Sequence, residues 1–381
     1  MKNNSEEIKK KAIALHRHYC GKLEVSSAAP IKDMEALSLF YTPGVAAVSS
    51  LVAKDKKLAK ELTWKGRSVA VVSDGSAVLG LGNIGPLGAL PVMEGKCVIF
   101  KEFSGVDAVP LVLDTQDAEK IIEIVKAIAP GFGGINLEDI SAPRCFEIEE
   151  RLKKELDIPV MHDDQHGTAI VVLAALTNAL KVVKKKIEKI KIVISGAGPA
   201  GVAVAKLLLK AGAKNILVLD SKGIISSKRK DLIPYKKKLA AITRVNISGG
   251  LEEAIKGADV FIGLSRGNLL SVEDVKKMAP LSIIFAMANP VPEIMPDTAM
   301  RAGAKIVATG RSDFPNQINN SLIFPGVFRG ALDNKVRKIT DDMKLKAAHN
   351  LAGLVKKPRK DKILPTMFEK GVVKAVARAI K

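Results

Sequence analysis

Aromatic residues are scarce in this chain: 4% of 381 residues, with Trp64 the one tryptophan. That shortage argues against the stacked aromatic platforms that hold single-stranded nucleic acids. Cysteine is scarcer still. Cys20, Cys97 and Cys145 are odd in number and far apart, which fits neither a disulfide framework nor a CxxC metal knuckle and points to a reducing cytoplasm. No apolar run reaches the ~18 residues of a membrane-spanning helix; the most apolar stretch, residues 169–180, is broken by Thr177 and Asn178. The N-terminus mixes Lys2 with Glu6 and Glu7 and leads into no apolar segment, so no secretory leader is read there. Acid is in deficit too: 40 Asp plus Glu face 60 Lys plus Arg, a formal net charge of +20.

What is present is ample apolar material, 47% of residues, which excludes wholesale disorder. The length suits two domains, since single cores stop growing near roughly 250–300 residues. The basic residues are dispersed in short runs, the densest being Lys356–Lys362, and read as a solvated surface. A nucleic-acid partner is the weaker reading of the same charge.

The first part reads as mixed α/β. Residues 5–19, 45–62, 118–129 and 143–156 carry helical spacing; residues 68–73, 97–100 and 133–136 read as strands, and another begins at Pro159. The second part alternates more regularly. Residues 167–183 and 200–211 read as helices, and residues 190–195, 215–220, 258–264, 282–287 and 305–309 as strands. That alternation implies a parallel sheet covered on both faces. The expected fold is α/β, with a doubly wound, Rossmann-like C-terminal sheet at 161–381 and an N-terminal mixed domain at 1–160.

The sharpest local signal is Gly196-Ala197-Gly198-Pro199-Ala200-Gly201, a G-x-G-x-x-G that follows an apolar strand and opens a helix. The first glycine makes the turn, the second admits a pyrophosphate, and the third lets helix and strand pack closely. The next strand ends at Asp220, placed to accept ribose hydroxyls. Asp220 favours NAD, whereas Ser221, Lys222 and the Lys228–Lys230 run would suit a 2′-phosphate; NAD is the slight preference. A second match, Gly80–Gly85, is followed by Pro86 and Pro91, so no smooth helix is expected there and a ligand-side loop is read instead.

Two acidic pairs, Glu138-Asp139 and Asp163-Asp164, follow apolar runs and so fall at strand ends, where open α/β sheets bind ligands. Clustered carboxylates repel unless a cation joins them, and oxygen ligands suit Mg²⁺ or Mn²⁺. Solvated loop acids or helix caps are the alternative. His162 and His166 read as packing or supporting groups. Lys96 precedes the run at 97–100 and, beside a divalent cation, would have its pKa lowered towards that of a base. Tyr41 lies in a tight turn. Asn289, Asn319 and Asn320 offer amides that could grip a carboxylate or carboxamide, or merely form turns.

Tyr41–Gly44, Gly80–Gly85, Glu94–Lys96, Gly133–Asp139, His162–Ala169, Gly196–Gly201, Ala288–Pro290 and Asp313–Asn320 occur in order and together resemble the malic enzyme family in its short prokaryotic form. The resemblance runs from about residue 10 to about 350. It implies oxidative decarboxylation of L-malate to pyruvate and CO₂ with NAD or NADP and Mg²⁺ or Mn²⁺. It also implies Glu138, Asp139 and Asp164 as metal ligands, Lys96 as general base and Tyr41 as general acid. Asp163 supports catalysis beside a ligand. Asn289 and Asn320, with Asn319, contact substrate or cofactor. A homodimer is implied as well. Where larger members carry an arginine for the substrate carboxylate, this chain reads Ser76-Ala77-Val78, and no acetyltransferase-like extension follows. A malolactic or tartrate enzyme is the neighbouring alternative.

Overall fold

The computed structural model describes residues 2–78 and 80–381; Met1, where the first expected domain begins, and Leu79 lie outside the described residues. Four parallel strands, β1 (Ser68–Ser73), β2 (Asp107–Val112), β3 (Gly134–Leu137) and β4 (Val160–His162), form a sheet in the order β2-β1-β3-β4. β1 and β3 are buried throughout, hence their unbroken apolar sequence. β2 escapes the sequence reading because Pro110 interrupts it. It is a half-buried edge strand, the one place in a sheet where proline removes no needed ladder bond.

Residues 97–100 are not a strand. They lie inside a 20-residue helix, Gly85–Ser104, that begins directly at the Gly80–Gly85 loop, so the expected lack of a helix there is also overturned. Four apolar residues cannot be told apart as helix or strand by periodicity alone. Over the longer span Ala89, Met93, Lys96, Cys97 and Phe100 share one buried face. Pro86 sits in the first turn, where its missing N–H is no loss, and the helix carries Pro91 in its interior. The single helix expected over 45–62 is broken: Gly44–Lys54 ends at Asp55, whose carboxylate caps a short 3₁₀ turn through the Lys57 N–H at 2.9 Å, and Ala59–Leu62 follows.

The second sheet contains β5 (Lys191–Ser195), β6 (Asn215–Asp220), β7 (Gly223–Ile224), β8 (Val260–Gly263), β9 (Ile283–Ala286) and β10 (Ile306–Thr309), in the order β10-β9-β8-β5-β6-β7. Only the short β7 runs antiparallel. The chain leaves β5 towards β6 on one side and returns to β8 on the other, so the strand order reverses at β5. Ligands bind at such a reversal.

The helix Asp163–Val183 starts four residues earlier than its apolar pattern suggests, directly off β4. It is long and apolar enough to cross a membrane, but 72% of its most apolar window is buried inside the protein, and it serves as a core helix. Met34–Lys54 passes the same test of length and composition with none of it buried. Late helices return to the first sheet's side: Phe324 and Phe328, on Phe324–Asp333, stack against Phe100 at 4.7 and 5.5 Å. One apolar cluster thus includes Val69 and Phe100 together with Ile192, Ile262 and Phe328.

Candidate active site

β3 and β4 deliver the carboxylates. Glu138 and Asp139 follow β3 directly, and Asp163 and Asp164 form the first turn of the helix after β4. They are helix residues rather than caps. One oxygen each from Glu138, Asp139 and Asp164 can be chosen so that all lie within 4.8 Å of one another. Asp139 is held at φ +53°, a left-handed conformation that aspartate tolerates better than bulkier residues. Its N–H donates to Asp164 Oδ2 at 2.8 Å, and its carbonyl accepts from the Ala77 N–H at 2.9 Å.

Lys96 reaches this cluster from the buried face of the helix Gly85–Ser104. Its Nζ lies 2.6 Å from Glu138 Oε1 and 2.6 Å from Asp163 Oδ2, over the Phe324 ring at 4.4 Å. Burial disfavours its ammonium, but the carboxylates of Asp163, Glu138 and Asp164 outweigh burial and hold the amine above its ordinary range. The sequence expectation of a lowered pKa was for a lysine beside a divalent cation; the two acids on either side of it act in the opposite sense. Gly167 secures the arrangement. A β-carbon there would lie 1.8 Å from Asp163 Oδ1 and 3.1 Å from Asn320 Cβ, so only glycine lets the helix, Asp163 and Asn320 approach this closely.

The donor set fits a hard divalent cation. Asp139 Oδ2 is buried with no hydrogen-bond partner among the described residues. Burial, reinforced by Asp164, pushes the Asp139 carboxyl up to about 8, and burial also drives Glu138 well above its usual range. Three oxygens destabilised by mutual repulsion are what an oxygen-seeking cation relieves.

Sequence reasoning missed the groups that hold these acids in place. Glu149, 5% exposed, accepts from the His162 N–H at 2.9 Å and pairs with Lys153 at 2.6 Å and the His166 ring at 2.9 Å, tying its own helix to β4 and to the next helix. Burial lowers the His166 imidazole to about 3, and its ring nitrogens meet Glu149, Lys153 and Lys344. Asp74 accepts from Arg144 at 2.9 Å and from the Ser76 N–H at 3.0 Å, fixing the loop that replaces the absent arginine. Asn136 donates to Glu138 Oε2 at 2.9 Å. Asn136 lies in the Gly133–Asp139 block, but Glu149, Asp74 and Arg144 carry no sequence motif; only their spatial convergence marks them.

A cavity of about 290 Å³ adjoins the carboxylates. Asp164 and Thr168 line one side, Pro199, Ala200, Leu264 and Ser265 the dinucleotide side, and Asn289, Asn319 and Asn320 a third. Gly196 has φ +115°, and a β-carbon there would meet Leu264 O at 2.5 Å; one on Gly201 would meet Gly196 O at 1.8 Å. Gly198 faces open space, with nothing within 4 Å of a β-carbon. The first and third glycines are therefore demanded by the protein itself and the second by whatever approaches it, with Ala197 between them. Asp220 ends β6 and accepts from Arg229 at 2.7 Å, Lys236 at 2.6 Å and the Lys222 N–H at 2.9 Å. Ser221 is exposed beside it.

The structure thus brings Lys96, Glu138, Asp139, Asp163 and Asp164 together beside Asn289, Asn319 and Asn320. Asn319 Oδ1 is engaged in capping the Ser321 N–H at 2.9 Å, leaving its amide NH₂ free for a ligand. Tyr41 is not brought to this cavity. It is 66% exposed and is not among the residues that line the cavity.

Two family models match the chain: the malic enzyme N-terminal domain at residues 20–121 and 115–153, and the malic enzyme NAD binding domain at 165–380. An NAD-dependent malic enzyme of Geobacillus stearothermophilus is 57% identical over 366 residues, covering 95% of this chain and 76% of that protein. A bifunctional malic/malolactic enzyme of Bacillus subtilis (strain 168) is 52% identical, covering 98% of this chain and 92% of its own length. The crystal structure of an NAD-dependent malic enzyme from Thermotoga maritima superposes with a TM-score of 0.94 at 51% identity, covering 97% of this chain and 98% of that one.

Proposed function

The chain belongs to the malic enzyme family, and from that premise we propose how its residues carry out the NAD(P)-dependent oxidative decarboxylation of malate to pyruvate and CO₂. The observation that carries the reading is Lys96, buried between Glu138 and Asp163 in the carboxylate cluster whose Asp164 shares one cleft with Pro199 and Ala200 of the glycine loop.

Glu138, Asp139 and Asp164 would hold a divalent cation, Mg²⁺ or Mn²⁺, and the Gly196–Gly201 loop would hold the dinucleotide. When bound, the cation polarises the substrate's C2 oxygen as a Lewis acid and the nicotinamide is the hydride acceptor. Engaging Glu138 and Asp164 as ligands would weaken part of the field that holds the Lys96 ammonium, with Asp163 keeping its hydrogen bond to Nζ, and would move the amine towards the range of a working base. Lys96 then takes the C2 hydroxyl proton as C2 is oxidised. Asp163, hydrogen-bonded to Nζ, fixes the direction of that amine. Asn289, Asn319 and Asn320 present amides to the substrate carboxylate, the task an arginine would otherwise perform, and Asn289 also faces the cofactor side. Loss of the β-carboxylate as CO₂ leaves an enolate whose C3 must be protonated, and Tyr41 is assigned that proton.

NAD is the preferred cofactor. Asp220 stands where an acid takes up ribose hydroxyls; of the nearby cations, Arg229 and Lys236 pair with Asp220 itself and Lys222 with Asp231. Residues 1–160 form the malic domain and 161–381 the dinucleotide-binding domain. The protein is a cytoplasmic homodimer, consistent with three free thiols and with the unburied Met34–Lys54 segment. The test is a spectrophotometric assay with L-malate and Mn²⁺, run in parallel with NAD⁺ and NADP⁺, with pyruvate and lactate measured as products. Pyruvate with NADH is expected. Absence of reduced cofactor in both arms overturns the reading, and lactate as product reassigns the reaction.

A further inference from the structure

Two amines away from the cleft are held more deeply than their partners explain. Lys344, on the helix Asp341–Ala352, is 5% exposed, and Lys153, on Arg144–Glu155, is half-buried. They flank one imidazole: Lys344 Nζ lies 3.0 Å from His166 Nδ1, and Lys153 Nζ lies 3.2 Å from Nε2. Nε2 also faces Glu149 Oε2 at 3.0 Å, and this hydrogen-bond pattern assigns the ring proton to that nitrogen. Nδ1 is then the ring's one acceptor, and Lys344 takes it. Lys153 meets a donor at Nε2 and makes no bond there.

An ammonium carries three hydrogens. Lys153 gives one to Glu149 at 2.6 Å, and Lys344 gives one to His166 and one to Asp341 at 3.0 Å. Two hydrogens of Lys153 and one of Lys344 are left without an acceptor among the described residues. Burial, followed by the charge of Lys153, lowers the Lys344 amine from its ordinary range. Packing alone does not call for such an arrangement, since an apolar side chain of similar volume would fill the place without an electrostatic cost.

Both amines line a cavity of about 340 Å³ formed with the helices Asp163–Val183 and Pro199–Lys210, and it shares no lining residue with the cleft at the strand ends. That volume suits a small metabolite. One wall is apolar and aromatic: Val202, Ala203 and Leu207, with the rings of Phe146 and Tyr235 tilted together at 5.0 Å. The other is cationic. Lys206 and Lys238, both exposed, join Lys153 and Lys344, and neither Lys206 nor Lys238 pairs with a carboxylate among the described residues. The acids of the lining are already engaged, Glu149 by Lys153, Glu150 by Lys154 and Asp341 by Lys344.

We propose that this cavity binds a small phosphate monoester with an apolar or aromatic body. Lys153 and Lys344 take the phosphate at the buried end, Lys206 and Lys238 complete the positive field at the mouth, and the body lies against Phe146 and Tyr235. A phosphate offers three strong acceptor oxygens to the three unspent hydrogens, and lysine serves it as a point charge. The site is independent of the reaction assigned to the cleft.

The experiment titrates phenyl phosphate into the whole chain in a calorimeter, with NAD⁺ and Mg²⁺ present so that the dinucleotide loop and the carboxylate cluster are occupied. One molecule per chain is expected to bind, inorganic phosphate at least about tenfold more weakly for want of the apolar body, and phenol not measurably. Lys344→Met keeps the bulk of the side chain and removes its charge; it is expected to weaken phenyl phosphate at least about tenfold. Lys206→Glu, at an exposed position, is expected to weaken it in the same sense, and it carries the test if Lys344→Met does not fold. No binding of phenyl phosphate to the wild type, undiminished binding in either variant, or inorganic phosphate held as tightly as the monoester overturns the proposal. Binding lost in Asp139→Asn and retained in Lys344→Met overturns it too, placing the phosphate on the metal. Lys96→Ala is expected to bind phenyl phosphate as the wild type does while losing turnover, so failure of the base assignment and failure of this site are read separately.

Discussion

At the scale of single residues, the site is a contest between charge repulsion and the groups that relieve it. Lys96→Ala removes both the base and the cation that balances Glu138 and Asp163. Turnover should fall roughly 10²-fold or more while cofactor binding, followed by calorimetry, is retained; near-normal turnover would refute the base. Asp139→Asn should raise the Mn²⁺ concentration needed for half-maximal activity by at least about tenfold, since metal affinity depends on each charged ligand. Gly167→Ala forces Asp163 Oδ1 away from its place and should cost about 1–3 kcal/mol by overpacking, read as a lowered Tm with a concurrent loss of turnover. Asp220 supplies the pH prediction. Burial works against its charge, but hydrogen bonds from Arg229 and Lys236 prevail and hold its pKa below the ordinary 3.8. A lowered carboxylate contributes stability above its unfolded pKa and loses it as pH falls through the folded value. Wild type should therefore melt above Asp220→Asn at pH 7, and the gap should close below about pH 4.

At the scale of elements, secondary structure was legible for most long patterns, the break at Asp55 within 45–62 excepted, and misread where the pattern was short. The G-x-G-x-x-G turn with its flanking strand and helix was fully readable, because two of its glycines are dictated by local packing. The run at 97–100 was not, since four apolar residues carry no period; its helix is decided by the buried face from Ala89 to Phe100. β2 was hidden by Pro110, which only an edge position permits. Gly198 provides a test at this scale. Its φ of −78° is open to any residue and its surroundings are empty, so Gly198→Val should leave the Tm of the cofactor-free protein within about 1 °C of wild type. It should also abolish the stabilisation that cofactor at 100 times its Kd confers on wild type, about 2.7 kcal/mol. Glu149→Ala should act in the opposite sense. It leaves the His162 N–H and Lys153 without their buried partner and should destabilise by about 3–5 kcal/mol without touching the cofactor loop.

At the scale of the whole molecule, one continuous apolar cluster joins the two sheets, so the lysine from one and the dinucleotide loop from the other are held in a common frame. The surplus of positive charge does not gather at the cleft, which no lysine or arginine lines. Seven Lys and Arg side chains, among them Lys56, Lys60 and Arg337, instead surround a separate cavity of about 770 Å³. The sequence alone determined the family resemblance and the dinucleotide loop, because these depend on residue type at short spacing and local backbone geometry, and the resemblance nominated the acids, the lysine and the tyrosine as candidates. Tertiary structure alone decided that Asp163 and Glu138 both hold Lys96, that Glu149 and Asp74 hold the loops around them, and that Tyr41 stands outside its own chain's cleft. Those relations join residues tens of positions apart, and a spacing along the chain carries no record of which of them folding brings within hydrogen-bond distance.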